Sequence, residues 1–316
     1  MFRPIHKDDF LATLFDGFDA LESAWRFSNL VTEDLKTAFR VLPEQVAAVV
    51  VCGSVKRMEA HARSDLDLMV VIDDRHQNVP QLQKTQIQDS VWEIVRQDSK
   101  LNALDAPMSG GLFTECASWK KLTDVRQRGV VDEDMTTFGH RMHVLMDGVA
   151  VSGADAFLRL QADVLEWYSE AELTSAYGGC PPFDWLKQDV LRYWHSLHAR
   201  AYWVDRDKPA KSAIENLKLR TSRLLQVSAF LLRLRAVQKV PLGERLPALL
   251  ESGSRSPLQT IVPLLTKADA HQLLSAWQNL WQVLEAGVPE DSDSSNWKAS
   301  LVAVREQIEG LGFQLT

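Results

Sequence analysis

Cysteine is scarce in this sequence of 316 residues, and its distribution excludes two classes of protein. The three cysteines, Cys52, Cys116 and Cys180, are far apart and odd in number, which argues against a disulfide framework. The sequence contains no CxxC or Cys/His spacing of the kind that binds zinc.

No stretch approaches the ~20 apolar residues that a transmembrane helix requires. The first ten residues, MFRPIHKDDF, lack the apolar region of a signal peptide, so the cytoplasm is the expected compartment.

An excess of positive charge is also lacking, because 35 basic and 42 acidic residues give a net charge of −7. A protein that coats nucleic acid non-specifically needs clustered positive charge, so that class is not expected. The chain shows no internal repeat and no low-complexity tract. Its 46% of hydrophobic residues suffice for a core, and its length suits two domains or one large one.

Apolar patterns divide the chain into an α/β half and a helical half. Over residues 1–176, they predict helices at 7–40, 83–101, 134–147 and 153–175, and strands at 46–52, 65–72 and 112–117. The strongest break is the turn signal YGGCPP at residues 177–182. Beyond it, long helices are predicted at 183–204, 212–236, 257–285 and 296–310. The expected fold is therefore α+β, with a sheet and helices in residues 1–176 and an all-α helical bundle in residues 177–316.

The segment most informative about chemistry is residues 52–68, CGSVKRMEAHARSDLDL. Gly53 lets the backbone approach a ligand closely, and Ser54 adds a hydroxyl group. Backbone N–H groups at such a turn, followed by a short helix, can hold phosphate oxygens. Asp65 and Asp67 are two residues apart on a predicted strand, so both carboxylates lie on one face.

Two neighbouring carboxylates repel each other unless a cation lies between them, and their hard oxygen atoms suit Mg²⁺ or Mn²⁺. An isolated Asp-x-Asp is most often a solvated strand face, and an isolated Gly-Ser is a generic turn. Their combination between two apolar strands favours a phosphate site beside a divalent metal ion. Phosphoryl-group chemistry uses this combination.

The segment resembles the signature of the polymerase-β-like nucleotidyltransferase superfamily, in which a strand ending in Gly-Ser precedes Asp-x-Asp by about ten residues, as Ser54 precedes Asp65 here. More narrowly, it resembles the nucleotidyltransferases related to the bacterial PII-uridylyltransferases, which usually have Gly-Ser-x-Ala-Arg-Gly-Glu-Ala. Lys56 and Met58 replace Ala and Gly of that pattern. A weaker resemblance extends over most of residues 45–235.

This resemblance implies a mixed sheet flanked by helices and a metal-dependent enzyme, uridylyltransferase- or adenylyltransferase-like. The enzyme would move a nucleoside monophosphate from an NTP to an acceptor and release pyrophosphate. Asp65 and Asp67 would be catalytic and hold Mg²⁺ or Mn²⁺, while Gly53 and Ser54 would bind the triphosphate.

The family often places a third carboxylate on a neighbouring strand, and Glu115, in the predicted strand 112–117, is the candidate for this catalytic and metal-binding position. An exposed strand glutamate would give the same pattern. Asp147, at a predicted helix end before Gly148, is a poorer candidate.

Lys218 and Arg220, on the predicted helix 212–236, are expected to bind the NTP, although solvated charges on a bundle surface would give the same pattern. The acceptor stays open between a protein, a small molecule and an RNA end. Two alternatives also stay open: a nucleotide-binding regulatory protein with little turnover, and a defence- or toxin-type transferase.

Overall fold

The computed structural model describes residues 14–107, 111–129, 132–169, 183–203, 209–287 and 295–312. The chain forms two compact units. One contains Ser28–Tyr193 and Arg233–Ser254, and the other contains Met1–Phe27, Trp194–Leu232 and Arg255–Thr316. The predicted break at residues 177–182 lies outside the described residues, so a domain division at residue 177 stays a prediction.

The helices and strands, in chain order, begin with α1 (Asp19–Ala38), β1 (Val46–Val51), α2 (Gly53–Arg57), β2 (Leu68–Ile72), α3 (Gln81–Gln97), β3 (Ala117–Ser118), α4 (Trp119–Leu122), α5 (Met135–Met142), β4 (Val149–Ser152) and α6 (Ala154–Ser169). They continue with α7 (Asp184–Trp203), α8 (Pro209–Lys218), α9 (Leu224–Val237), α10 (Leu242–Glu251), α11 (Pro257–Ile261), α12 (Lys267–Ala286) and α13 (Ser295–Gly310). A mixed sheet with helices, followed by a mostly helical C-terminal part, confirms the predicted α+β class.

The four strands of the sheet lie in the order β3-β2-β1-β4. β1 is antiparallel to both β2 and β4, and β3 is parallel to β2. Because Val51 pairs with Leu68 on one side and with Val149 on the other, the end of β1 lies beside the starts of β2 and β4. Side chains just outside these three strand ends are therefore brought to one edge of the sheet.

The two central strands are apolar throughout because they are buried in the core of their unit. Every residue of β2 is buried, and so are most residues of β1. The helices α3 and α6 contribute buried residues at three- and four-residue spacing, as an amphipathic pattern predicts. These residues include Ile87, Val91 and Val95 in α3, and Phe157, Leu160 and Val164 in α6.

The prediction of a strand over residues 112–117 is wrong in its extent. Leu112–Thr114 forms a 3₁₀ turn, and β3 contains only Ala117–Ser118. The carbonyl groups that a strand would offer to the sheet are taken by side chains instead. The Gln88 amide donates to the Phe113 carbonyl and His140 Nε2 donates to the Leu112 carbonyl, both at 2.9 Å.

The strand predicted over residues 65–72 begins later than expected, at Leu68. Asp65 forms an isolated bridge with Asp105, and the Leu66 N–H donates to the Asp105 carbonyl at 2.8 Å. The two aspartates of the motif therefore lie on the extended segment that leads into β2.

The predicted helix 212–236 is present as α8 and α9, with a π-helical turn over Leu219–Arg223 between them. The predicted helix 257–285 is interrupted because Pro263, in the 3₁₀ turn Val262–Leu264, lacks the N–H that a continuous helix would need. α12 buries a stripe that includes Leu273, Trp277 and Trp281. Among the described residues, no helix combines the length and apolar character needed to span a membrane.

Candidate functional site

The candidate site is built around the turn that follows β1. The chain passes from Cys52 to Gly53, where φ is +64°, a left-handed conformation that disfavours residues with a Cβ. A Cβ at this position would also lie 2.2 Å from Asp67 Oδ2. Glycine therefore meets two requirements here, the backbone conformation and the close approach of the Asp67 carboxylate.

Asp67 extends the pairing of β1 and β2 by one step, because the Cys52 N–H donates to its carbonyl at 2.9 Å. Its side chain is half-buried, whereas Asp65 is exposed. The pair offers hard carboxylate oxygens, the donor type that suits Mg²⁺ or Mn²⁺. The space left by the missing Cβ of Gly53 accommodates the Asp67 carboxylate, and the binding of a divalent metal ion by Asp65 and Asp67 stays a prediction. Across the described ranges, no three or more His, Cys, Asp or Glu residues are grouped to hold a metal ion.

Ser54, the next residue of the turn, is half-buried, and its hydroxyl has no hydrogen-bond partner within the described part of the chain. Its carbonyl accepts from the Glu59 N–H at 3.0 Å, which closes α2. The N–H of Gly53 donates to Asp147 Oδ2 at 3.3 Å. At this turn, the Ser54 hydroxyl is thus a group that can donate to a ligand, whereas the Gly53 N–H already has an acceptor.

The two basic residues of α2 point into the protein. Arg57 donates from Nη1 to Asp147 at 2.7 Å and from Nε to Glu59 at 2.6 Å. Burial alone would lower the pKa of Arg57, but the charges of Asp147, Glu59 and Asp67 hold it above its ordinary value. The positive charge of Arg57 therefore compensates the negative charges of Asp147 and Glu59.

Lys56 is only 2% exposed, and its Nζ donates to the Met146 carbonyl at 3.2 Å. Burial is the main reason that its pKa falls from 10.5 to about 8, although the nearby Asp147 charge acts in the opposite direction. A lysine in a short polar segment would ordinarily be expected in solvent.

Two further positions of the motif have structural explanations. Met58 ends α2 in a left-handed conformation with φ at +64°, the conformation favoured by the glycine that the resembling family usually has there. Ser64 Oγ accepts from the His61 N–H at 3.0 Å, so it shapes the turn before Asp65.

Asp147 is the residue of this site that the sequence pattern underrates. It is the last residue of the π-helical turn His143–Asp147, directly before Gly148 and β4. The pairing of β4 with β1 brings it to Gly53. The short apolar run at residues 149–151 was the signal available in the sequence, and it is too short to identify a strand by itself.

Glu115 lies just before β3, and β3 pairs with β2. Its side chain is exposed and lines a small polar cavity together with Lys84, Ser118, Lys121 and His140. It makes no hydrogen bond or ion pair within the described residues. Its assignment as a third metal-binding carboxylate stays a prediction.

Lys218 and Arg220 belong to the other unit. Lys218 Nζ lies 3.6 Å from a Glu215 carboxylate oxygen, and Arg223 lies 3.1 Å from the other oxygen of the same group. Arg220 is exposed, in the π-helical turn Leu219–Arg223. Their role in NTP binding also stays a prediction.

Replacing Gly53 with alanine should disturb the carboxylate pair. The new Cβ would overlap Asp67 Oδ2 and force the carboxylate away, so we expect Mn²⁺ affinity, measured by titration, to fall about tenfold or more, as when a neighbouring group that orients a ligand is lost. Strain at positive φ should also lower the free energy of unfolding by about 1–2 kcal/mol.

Gly129→Ala is the matched control, because Gly129 also has a positive φ, +72°, and a Cβ there would meet nothing within 4 Å. It should show a similar loss of stability and unchanged Mn²⁺ affinity. Equal Mn²⁺ affinity in both variants would contradict the close contact of Gly53 with Asp67.

Comparison with known proteins identifies one domain. Residues 32–107 match the family model described as a nucleotidyltransferase domain. The matched range includes Gly53, Ser54, Asp65 and Asp67, and it supports the resemblance to the polymerase-β-like superfamily. No curated protein matches the chain. The narrower relationship to the PII-uridylyltransferases stays a prediction.

Proposed function

We propose that this protein, which carries a nucleotidyltransferase domain in residues 32–107, transfers a nucleoside monophosphate from an NTP to an acceptor and releases pyrophosphate. The observation that carries the proposal is the contact between the Gly53 turn and the Asp67 carboxylate. This contact joins the two parts of the motif, a turn proposed to bind the triphosphate and a pair of acidic residues.

Asp65 and Asp67 are the proposed catalytic residues and would hold Mg²⁺ or Mn²⁺. When bound, the ion would neutralise phosphate charge and make the α-phosphate more electrophilic. We propose Glu115 as the third carboxylate of the site. If it binds the metal ion, Glu115→Gln should weaken Mn²⁺ binding, and an unchanged affinity would remove it from the site.

The residues of the turn would bind and orient the triphosphate. Gly53 would act through the conformation of the turn, and the Ser54 hydroxyl would donate to a phosphate oxygen. Arg57 already donates hydrogen bonds to Asp147 and Glu59. We therefore propose that the Ser54 hydroxyl, and not Arg57, contacts the triphosphate. Fixed donors of this kind lower the barrier mainly by positioning the reacting groups.

Lys218 and Arg220 are proposed to supply positive charge to the bound NTP. One charge-assisted hydrogen bond contributes about 1.5 kcal/mol, so Lys218→Ala or Arg220→Ala should weaken NTP binding about tenfold. The measurement is a nucleotide titration of the folded variants.

Arg305→Ala is the control for these two variants, because Arg305 is an exposed helical arginine paired with Glu309 in the same unit. It should bind NTP as the wild type does. Unchanged affinity in both Lys218→Ala and Arg220→Ala would leave this helix as a scaffold or an acceptor platform.

A second candidate function is a nucleotide-binding regulatory module without turnover. The observation behind it is the state of Glu115, the proposed third carboxylate, which is exposed and makes no hydrogen bond or ion pair within the described residues. Such a module would bind an NTP and metal ion but transfer nothing.

The decisive experiment offers the chain each of four α-labelled NTPs with Mg²⁺ or Mn²⁺ and a cell extract. We expect one NTP to label an acceptor, and a chelator to abolish the labelling. The NTP that gives labelling would distinguish uridylyl transfer from adenylyl transfer. The identity of the labelled acceptor would distinguish a housekeeping enzyme from a defence- or toxin-type transferase. NTP binding without labelling would establish the regulatory module, and the absence of both would overturn the proposal. We propose the cytoplasm as the compartment, because three scattered cysteines do not form the disulfide framework typical of secreted proteins.

A further inference from the structure

Asp147 reaches the candidate site from a distant part of the chain. Val149 of β4 pairs with Val51 of β1, and the strands are antiparallel. Asp147 lies two residues before Val149, and Gly53 lies two residues after Val51, so the register brings the two together. The contact is thus a consequence of the sheet topology.

The Asp147 carboxylate connects the turn to α2. A single oxygen, Oδ2, accepts from the Gly53 N–H at 3.3 Å and from Arg57 Nη1 at 2.7 Å. The side chain is 6% exposed, and Arg57 is 13% exposed, so solvent screens this pair weakly. Arg57 is held on its other side by Glu59.

Gly53 is consequently held between two carboxylates. Asp147 Oδ2 accepts from its N–H, and Asp67 Oδ2 occupies the space where a Cβ would lie. A rotation of this peptide would change the position of Asp67 and of the adjoining Ser54. The geometry of the proposed catalytic group therefore depends on the group that fixes the Gly53 N–H.

The second oxygen of Asp147 makes none of these contacts. Oδ1 is buried and has no hydrogen-bond partner among the described residues. A buried oxygen without a partner is destabilising, so its presence calls for an explanation. A requirement for a negative charge beside Gly53 and Arg57 supplies one.

We propose that Asp147 is a positioning residue for nucleotidyl transfer: through Gly53 and Arg57, it fixes the turn against which Asp67 rests. This inference rests on the proposed function. In this role, Asp147 acts through these two residues and would contact neither the metal ion nor the NTP.

The test compares the wild-type chain with Asp147→Asn, Arg57→Met and the double variant, using the NTP that labels an acceptor. A displacement of about 1 Å in a catalytic group lowers rates by as much as about a hundredfold. We therefore expect Asp147→Asn to lower kcat about ten- to hundredfold, with KM for the NTP changed less than about threefold. If Asp147 acts through Arg57, the double variant should be no worse than the worse single variant.

Asp74→Asn is the matched control. Asp74 is also 5% exposed, and it accepts from Ser118, Lys84 and the Lys120 N–H beyond the opposite end of β2. Asp74→Asn therefore measures the general effect of neutralising a buried carboxylate. The folded Asp74→Asn variant should retain kcat within about twofold, because Asp74 lies at the end of β2 opposite Asp67 and contacts neither Gly53 nor Arg57.

Mn²⁺ titration separates positioning from direct coordination. Asp147→Asn should keep Mn²⁺ affinity within about threefold, whereas Asp67→Asn should lose it. A loss in Asp147→Asn equal to that in Asp67→Asn would make Asp147 a ligand and overturn the inference. A kcat equal to that of Asp74→Asn, or additive effects with Arg57→Met, would overturn it as well.

If Asp147→Asn fails to fold, Arg57→Lys takes its place. Lysine keeps the positive charge opposite Asp147, so Arg57→Lys should recover part of the kcat that Arg57→Met loses, and no recovery would count against the inference. A wild-type chain that transfers no nucleotide would overturn the proposed function itself. Wild-type transfer that is unaffected by Asp147→Asn would overturn only the role of Asp147.

Discussion

Asp65→Asn and Asp67→Asn should each lower nucleotide transfer by about a thousandfold or more while leaving the chain folded. An asparagine keeps the size of the side chain but removes the negative charge that holds a divalent cation. Removing one fixed group that stabilises charge in the transition state lowers the rate by an amount of this order. Initial transfer rates, measured at saturating NTP and metal ion, are the direct readout.

Stability should change little in the same variants. Two neighbouring carboxylates repel each other in the metal-free protein, and removing one charge relieves that repulsion. At Asp67, this gain is offset by the loss of its attraction to Arg57. The free energy of unfolding, from denaturant titration without metal ion, should therefore stay within about 1 kcal/mol of the wild type. A loss of transfer with this stability would assign the effect to chemistry.

Asp73→Asn is the control for a carboxylate close in sequence. Asp73 lies just after β2, at the end opposite Asp67, and pairs with Arg75 at 2.7 Å. Its variant should transfer nucleotide at nearly the wild-type rate. If the folded Asp65→Asn and Asp67→Asn variants both retained wild-type transfer, these aspartates would not be the catalytic residues.

The parts of the site that the sequence predicts are local in the chain. A buried run that ends in Gly53-Ser54 requires a turn, and Asp65 and Asp67 precede a second buried run. Period, composition and turn chemistry identify such features within a few residues. The same local signals predict α3 and α7 to within a few residues of their observed bounds.

The contact between Gly53 and Asp147 joins residues 94 apart in sequence. It depends on β4 pairing with β1, and β4 has only four residues. Nothing in so short a run specifies its partner strand. For this reason, the sequence pattern favours Glu115 over Asp147, although it is Asp147 that contacts the Gly53 turn.

Burial of Lys56 is hidden from the sequence for a different reason. α2 has five residues, too few for a helical period to show which face is buried. The residues at 112–117 show a related limit, because their apolar composition favours a strand. Side chains from α3 and α5 take the carbonyl groups of Leu112 and Phe113, and these contacts are decided by packing.

Lys56 should make the stability of the protein depend on alkaline pH. Burial lowers its pKa from 10.5 to about 8, and a shift of this size corresponds to about 3 kcal/mol. Below pH 8, lysine is protonated in both the folded and unfolded states, and the folded state carries the full penalty of a buried charge. Between pH 8 and 10.5, the folded state loses its proton while the unfolded state keeps it. The unfolded state then binds more protons, so stability rises with pH across this window.

Lys56→Met isolates this effect because methionine fills similar space and does not titrate. We expect the free energy of unfolding of the wild type, minus that of Lys56→Met, to increase by about 3 kcal/mol from pH 8 to pH 10.5. Groups that titrate in both proteins cancel in the difference. Near pH 7, the variant gains from losing a buried charge and loses the bond to the Met146 carbonyl, so the change with pH is the sharper measurement.

Lys187→Met is the matched control, since Lys187 is an exposed lysine on α7 in the same unit. Its difference from the wild type should stay constant within about 0.5 kcal/mol over the same pH range, as expected for a surface substitution. A Lys56→Met difference that is equally constant would mean that Lys56 titrates near its ordinary pKa in the folded protein. In that case, the attraction of the nearby Asp147 carboxylate, or access of the ammonium group to water, would offset the effect of burial on Lys56.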